Sequence, residues 1–306
     1  MEKPLVSIIT PCYNGEHYLD RYFRSILNQT YSSLELIFIN DGSTDRTEEL
    51  VHSYRPQLEQ KGIAFTYLSQ ENAGQAAALN RGLKLFTGKY LTWPDADDEM
   101  TPDCIEKKVQ YLEAHPEYQM MRSDGTYCNP DTGEQRTIAQ ERDKHPQNIF
   151  EDLLLVHTYG CCGCYMITKD LFLKCYPDRN IFESRTGQNW QVLVPAASYS
   201  VCGYLDACLY TVYEHGDSHS RSIRSTSQMY ERWDLFTEVL EHALKASSCD
   251  QTKYLKMITA NKARQKFYYA VSARDRNMMK STIMVMRKNG KVTLKEFLLF
   301  LKCMGK

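Results

Sequence analysis

LVSIITPCYNG, at Leu5–Gly15, decides the fold: a short apolar, β-branched run, then a proline, a tyrosine and the turn pair Asn14-Gly15. A run this short and apolar reads as a strand buried on both faces. Helical spacing follows at Tyr18, Leu19, Tyr22, Phe23, Ile26 and Leu27. The alternation then repeats three times. LELIFINDGSTD (Leu34–Asp45) leads into a helix predicted from Thr44 to about Tyr54, and IAFTYLSQENAGQ (Ile63–Gln75) into one over Ala76–Phe86. KYLTWPDADD (Lys89–Asp98) leads into a helix from Pro102 to about Ala114, with proline in its first turn. Strand and helix in alternation with short connections predict an α/β fold. Its sheet is expected to be mostly parallel and doubly wound, with helices on both faces and right-handed crossovers.

Beyond this the pattern changes. The stretch from Met120 to Phe150 is polar, and CNPDTGEQ (Cys128–Gln135) reads as a hairpin turn. Residues 151–213 mix short apolar runs with aromatics, and from Gln228 onward the spacing is helical. The expected organisation is an α/β unit over 1–225, its pattern changing between 1–115 and 116–225. A helical region over 226–306 completes it.

Bulk properties narrow the function classes. The 306 residues are 42% hydrophobic and 25% charged, as in an ordinary globular protein. No run approaches the roughly 18 apolar residues of a membrane span, and the start lacks the pattern of a secretory signal, so a cytoplasmic location is expected. Eleven cysteines at irregular spacing give no disulfide framework. Cys161, Cys162 and Cys164 lack the two-plus-two spacing of a structural zinc site and read as buried thiols. From Gln251 to Lys306 there are fourteen Lys/Arg against two acids; before that, 23 against 36. A basic tail on an acidic body suggests an anionic partner, with an anionic membrane surface as one candidate. Packing of the apolar stripes on the protein's own body is the plainer alternative. No nucleic-acid module is recognisable.

Open parallel sheets bind ligands beyond the carboxyl ends of their strands, and polar residues gather at those ends here. The four connections carry Pro11-Cys12-Tyr13-Asn14-Gly15, then Asn40 to Asp45, then Glu71 to Gln75, then Asp95-Ala96-Asp97-Asp98. Each has a plainer reading: a packing aromatic, a turn, a helix cap. Four in succession point to a site. The acids Asp95, Asp97 and Asp98 repel one another unless a cation or a ligand compensates. A hard divalent ion that keeps open positions for phosphate, magnesium or manganese, fits that need. Neither GxGxxG nor GxxxxGK[ST] is present.

The runs VSIITPCYN, FINDGSTD, ENAGQAAALNRG and WPDADDEMTPD together resemble glycosyltransferase family 2, of the bacterial cell-surface polysaccharide type, with the GT-A fold. The resemblance is specific over residues 4–105 and weaker to about residue 225. It implies an inverting, metal-dependent transferase that uses a UDP-sugar and Mn2+ or Mg2+. Pro11 and Tyr13 would line the uracil pocket, with Asp41 accepting a hydrogen bond from the base. Asn72, Gln75 and Asn80 would flank the nucleotide. Asp95 would bond the ribose or assist the metal, and Asp97 would ligate it.

The resemblance makes 1–115 a nucleotide-binding half and 116–225 an acceptor half, and implies an acidic pair near a helix start in the latter. Here the sequence reads Glu183-Ser184-Arg185-Thr186-Gly187-Gln188-Asn189-Trp190, with amides where carboxylates are expected. Amides cannot accept a proton at neutral pH. Glu183 is therefore the preferred base and Asp178 the alternative, while Gln188, Asn189 and Trp190 remain candidates for binding an acceptor sugar. His219 would ligate the metal or contact phosphate, with Arg221 beside the diphosphate. The acceptor is expected to be a glycan, a glycolipid or a protein-linked group. Two other readings stay open: a nucleotide-sugar-binding protein that has lost its base, and a nucleotidyltransferase, which the lack of a glycine- and Arg/Lys-rich loop after the first strand disfavours.

Overall fold

A computed structural model describes residues 3–214 and 225–305. The first third alternates as its periodicities predict: β1 (Val6–Cys12), α1 (Leu19–Leu27), β2 (Leu34–Asp41), α2 (Thr47–Gln60), β3 (Ala64–Gln70), α3 (Gln75–Leu83) and β4 (Tyr90–Thr92). A two-residue strand, β5 (Glu99–Met100), precedes α4 (Cys104–Ala114). Every residue of β1 is buried, as a strand covered on both faces requires. β3 alternates in exposure because it forms the sheet edge.

The next stretch supplies β6 (Met120–Cys128), β7 (Gln135–Thr137), α5 (Phe150–Leu155), β8 (Tyr165–Thr168), α6 (Lys169–Cys175), α7 (Gln188–Tyr199) and β9 (Cys202–Tyr213). The predicted hairpin is present: β6 and β7 pair antiparallel, Cys128 opposite Gln135. The sheet runs β3-β2-β1-β4-β8-β6-β9-β5, with β7 on β6. Its first four strands are parallel. β8 then runs antiparallel between β4 and β6, while β9 lies parallel to β6. The doubly wound pattern thus holds for one wing, and the other is mixed. The order in which strands join the sheet reverses between β1 and β4, which opens a crevice beyond their carboxyl ends.

The C-terminal region is α8 (Thr226–Lys245), α9 (Gln251–Ala273), α10 (Arg276–Asn289) and α11 (Leu294–Met304). It packs as two parts. Leu240, Ala243, Leu244 and Ile258 join the main core, whereas Phe267, Met279 and Met286 centre a small second cluster with α10 and α11. Among the described residues no helix is long and apolar enough to cross a membrane.

Candidate active site

The first three strand-end loops are tied to one another before any ligand arrives. Asn14 is in the left-handed region at φ 52°. Its N–H donates to Ser43 Oγ (2.9 Å), and its Oδ1 accepts from the Thr44 N–H (2.9 Å). The Gly15 N–H donates to Thr47 Oγ1 at 2.7 Å. Gly42 has φ +74°, and a Cβ there would lie 2.6 Å from the Asn72 nitrogen, so only glycine lets the second and third loops meet. Buried Asp41 secures the contact: its carboxylate accepts from Gln70 Nε2 (2.7 Å), the Ala73 N–H (2.9 Å) and the Gly74 N–H (2.9 Å). Pro11 is buried in β1, while the Tyr13 ring is 47% exposed at the crevice lip.

The acidic loop after β4 closes the crevice. Asp95 Oδ1 accepts from Gln75 Nε2 (2.7 Å), and Gln75 Oε1 accepts in turn from Gln188 Nε2 (2.6 Å). Cys162 Sγ donates to Asp95 Oδ2 at 3.2 Å, and the Asp95 N–H donates to the Tyr210 hydroxyl at 3.1 Å. Asp98 is buried and accepts from the Tyr213 N–H at 3.0 Å. Burial, and then the charge of Asp97, push the carboxyls of Asp95 and Asp98 above the usual carboxylate range. Asp97 differs from both in its partners: part-exposed like Asp95, its carboxylate has no hydrogen bond or ion pair among the described residues. Its backbone carbonyl accepts from the Arg21 guanidinium, which stacks on the Tyr213 ring at 3.5 Å.

This donor set suits a hard divalent cation. The oxygens are those of carboxylates, one carboxylate is unpartnered among the described residues, and the crowding that raises its neighbours is relieved by positive charge. No group of three His, Cys, Asp or Glu side chains is preassembled for a metal among the described residues. His219 and Arg221 lie outside the described residues.

The second half of the α/β unit departs from expectation at several positions. Asn80 is buried, and both ends of its amide bond the Ile181 backbone, at 2.9 and 2.8 Å; it clamps the two halves together rather than facing the crevice. Asn189 accepts from Trp93 Nε1 (3.1 Å) and donates to the Gly160 carbonyl (3.1 Å). Trp190 Nε1 donates to the Leu153 carbonyl at 3.0 Å, and its ring lies over Gly160 and edge-on to Phe236. Those two side chains are engaged by the protein itself, Asn189 with the Trp93 indole and the Gly160 carbonyl, Trp190 with the Leu153 carbonyl, while Gln188 bonds Gln75.

The alternative base is displaced as well. Asp178 sits in an exposed turn whose Arg179 caps the carbonyls of Leu83 and Phe86, at the far end of α3 from Gln75. A nine-residue helix, roughly 13 Å long, separates that turn from the acidic loop. Glu183 is exposed and without a partner among the described residues. Arg185, two residues on, reaches Asn72 Oδ1 at 3.2 Å, so Glu183 stands in the segment that borders the crevice.

Sequence reasoning missed four contributors: Cys162, Tyr210, Arg21 and Arg185. The cysteine cluster did signal burial, but nothing local indicated that one thiol would face Asp95.

Residues 7–175, more than half of the chain, match the family described as Glycosyl transferase family 2. The chain belongs to that family. An uncharacterized glycosyltransferase of Rickettsia prowazekii is 44% identical over 109 residues, 36% of this chain and 32% of its own length. Glycosyltransferase GlyA of Streptococcus pneumoniae is 36% identical over 122 residues, 40% of this chain and 16% of its own. The matches thus span less than half of either relative. Among solved structures, S. aureus TarS in complex with UDP-GlcNAc aligns at TM-score 0.63 and 18% identity, over 98% of this chain and 80% of that one. The mannosyltransferase PcManGT of Pyrobaculum calidifontis, with GDP-Man and Mn2+, aligns at TM-score 0.59 and 14% identity, over 100% of this chain and 81% of that one. At such identity these two neighbours speak for the fold alone, the GT-A fold.

Proposed function

We propose that this family 2 chain is an inverting, metal-dependent glycosyltransferase of the cytoplasm. It would move a sugar from a UDP-sugar to a glycan, a lipid-linked sugar or a protein-linked group. One observation carries the reading: four strand-end loops, joined by Asn14, Asp41 and the Gln75–Asp95 bond, converge at the β1/β4 switch point on Asp97, whose carboxylate is unpartnered among the described residues. Tyr13 offers an exposed ring for the base, and Asn72 and Gln75 border the nucleotide. Asp97 would hold Mn2+ or Mg2+ with help from Asp95. When bound, the ion neutralises the charge developing on the UDP leaving group. The protein's own part is rigid placement: Gln188 fixes the amide of Gln75, and Gln75 fixes Asp95. Glu183 takes the proton from the acceptor hydroxyl as that oxygen attacks the anomeric carbon from the face opposite UDP. UDP-GlcNAc, the donor bound by TarS, is the first donor to try.

Thermal unfolding with UDP, UDP-GlcNAc and GDP-mannose, in Mn2+ and in EDTA, tests the donor side, because a ligand at about 100 times its Kd stabilises by roughly 2.7 kcal/mol. Stabilisation by the uridine nucleotides only with Mn2+ is expected. Equal response to GDP-mannose, or to no nucleotide at all, overturns the donor assignment.

The tied amides at positions 188 and 189 favour one second reading, a nucleotide-sugar-binding protein without a base. Glu183→Gln separates the two. An active enzyme should lose most turnover with donor affinity unchanged, while a binding protein shows no transfer before or after the change.

A further inference from the structure

α11 is apolar on two opposite sides, and only one side is covered. Leu299, Phe300 and Cys303 pack on the second cluster, and Glu296 is buried against Arg264 at 2.7 Å. On the opposite side Leu294 is 74% exposed, Leu298 56%, Leu301 49% and Phe297 46%. At 100° per residue these four fall within one stripe, flanked by Lys295 and Lys302. A shallow concavity of about 430 Å³ is lined by Leu294, Leu298, Leu299 and those two lysines. Met284 on neighbouring α10 is 64% exposed. An apolar stripe of this size on an outer helix marks an interaction surface.

Charge selects the occupant. From Arg276 to Lys306 there are eight Lys/Arg and a single acid, Glu296, which is buried. The solvent-facing charge of α10 and α11 is therefore wholly positive. A second copy docking on the same face would set lysine against lysine. An anionic bilayer would take both features together, leucines into the acyl boundary and lysines among the headgroups.

We propose that the outward face of α11 seats this chain on an anionic membrane surface, lying in the interface rather than crossing it. The inference does not depend on the donor or the metal. It would put the acceptor side of the enzyme within reach of lipid-linked substrates.

Flotation of the full chain with phosphatidylcholine vesicles, with and without phosphatidylglycerol, tests it. Wild type should float with the anionic vesicles only, and less at high salt. Leu294→Glu with Leu298→Glu should abolish flotation, and Lys295→Glu with Lys302→Glu should weaken it by about tenfold or more. All four positions are exposed, and matched circular dichroism and unfolding temperature verify that the variants fold. Failure of wild type to float overturns the proposal, as does flotation that survives the leucine changes. Sedimentation showing a dimer that Leu298→Glu dissociates would assign the face to a second copy instead. Binding to a soluble polyanion that is indifferent to the leucine changes would assign the lysines to a polyanion and also overturn it.

Discussion

Three aspartates within four residues have three different jobs, and their surroundings account for the difference. Asp98 is enclosed and bonded to the β9 backbone, Asp95 is held by Gln75 and Cys162, and among the described residues the Asp97 carboxylate has no partner. Because the Asp97 carboxylate makes no hydrogen bond or ion pair among the described residues, Asp97→Ala should abolish transfer and the Mn2+-dependent effect of UDP while leaving the unfolding temperature without ligand unchanged. Unfolding in EDTA and in Mn2+ reads both; turnover that survives the change or excess EDTA removes the metal role. Asp41 should behave in the opposite way. Three donors converge on its buried carboxylate, so Asp41→Ala leaves backbone groups of the third loop unpaired. A loss of about 1–3 kcal/mol in stability is expected, together with weaker UDP binding. Denaturant unfolding beside calorimetry checks it; unchanged stability would mean the loop is held by other contacts.

At the scale of elements, the site is a junction between the parallel wing and the mixed wing. Tyr210 on β9 reaches the Asp95 backbone, and the 3-10 turn Cys162–Cys164 supplies the thiol on the other side. These elements touch at Gly163, where a Cβ would come 2.0 Å from the Tyr210 ring. Gly163→Ala must therefore push the ring off its seat. The expected result is a loss of about 1–3 kcal/mol from overpacking and a smaller stabilisation by UDP and Mn2+, although residue 163 touches no ligand. Urea unfolding and the nucleotide thermal shift measure the two effects. A stable variant with full nucleotide response would show that Tyr210 does not position Asp95. The strands of the first wing were legible because each is a compact apolar run ending in turn residues. The antiparallel insertion of β8 was not legible, since the short run Tyr165–Thr168 carries no sign of the direction in which it will pair.

Across the whole molecule, the catalytic sheet and the C-terminal helices share one core before they part. Phe182 stacks on His242 at 3.8 Å, Trp190 meets Phe236, and Lys253 pairs with Glu151 at 2.9 Å. A chain ending at residue 225 would uncover the surface that Leu240, Leu244 and Ile258 bury, each worth about 1.5–3 kcal/mol. Such a chain should aggregate or melt far below the full protein; an equal melting temperature would make the helices a separate domain. Residue order alone determined the alternation of β1 to α4, the strand ends that carry Tyr13, Asp41, Gln75 and Asp97, and the basic character of the tail. Periodicity and turn chemistry act over a few neighbours, so they survive in a linear reading. The tertiary structure alone decided that Asn80 and Trp190 bond the backbone and Asn189 the Trp93 indole, that Asp178 lies a helix length from the acids, and that Cys162 and Tyr210 hold Asp95. Those outcomes depend on partners up to 115 positions apart, as Asp95 and Tyr210 are, and only the packed chain brings such residues within hydrogen-bond distance.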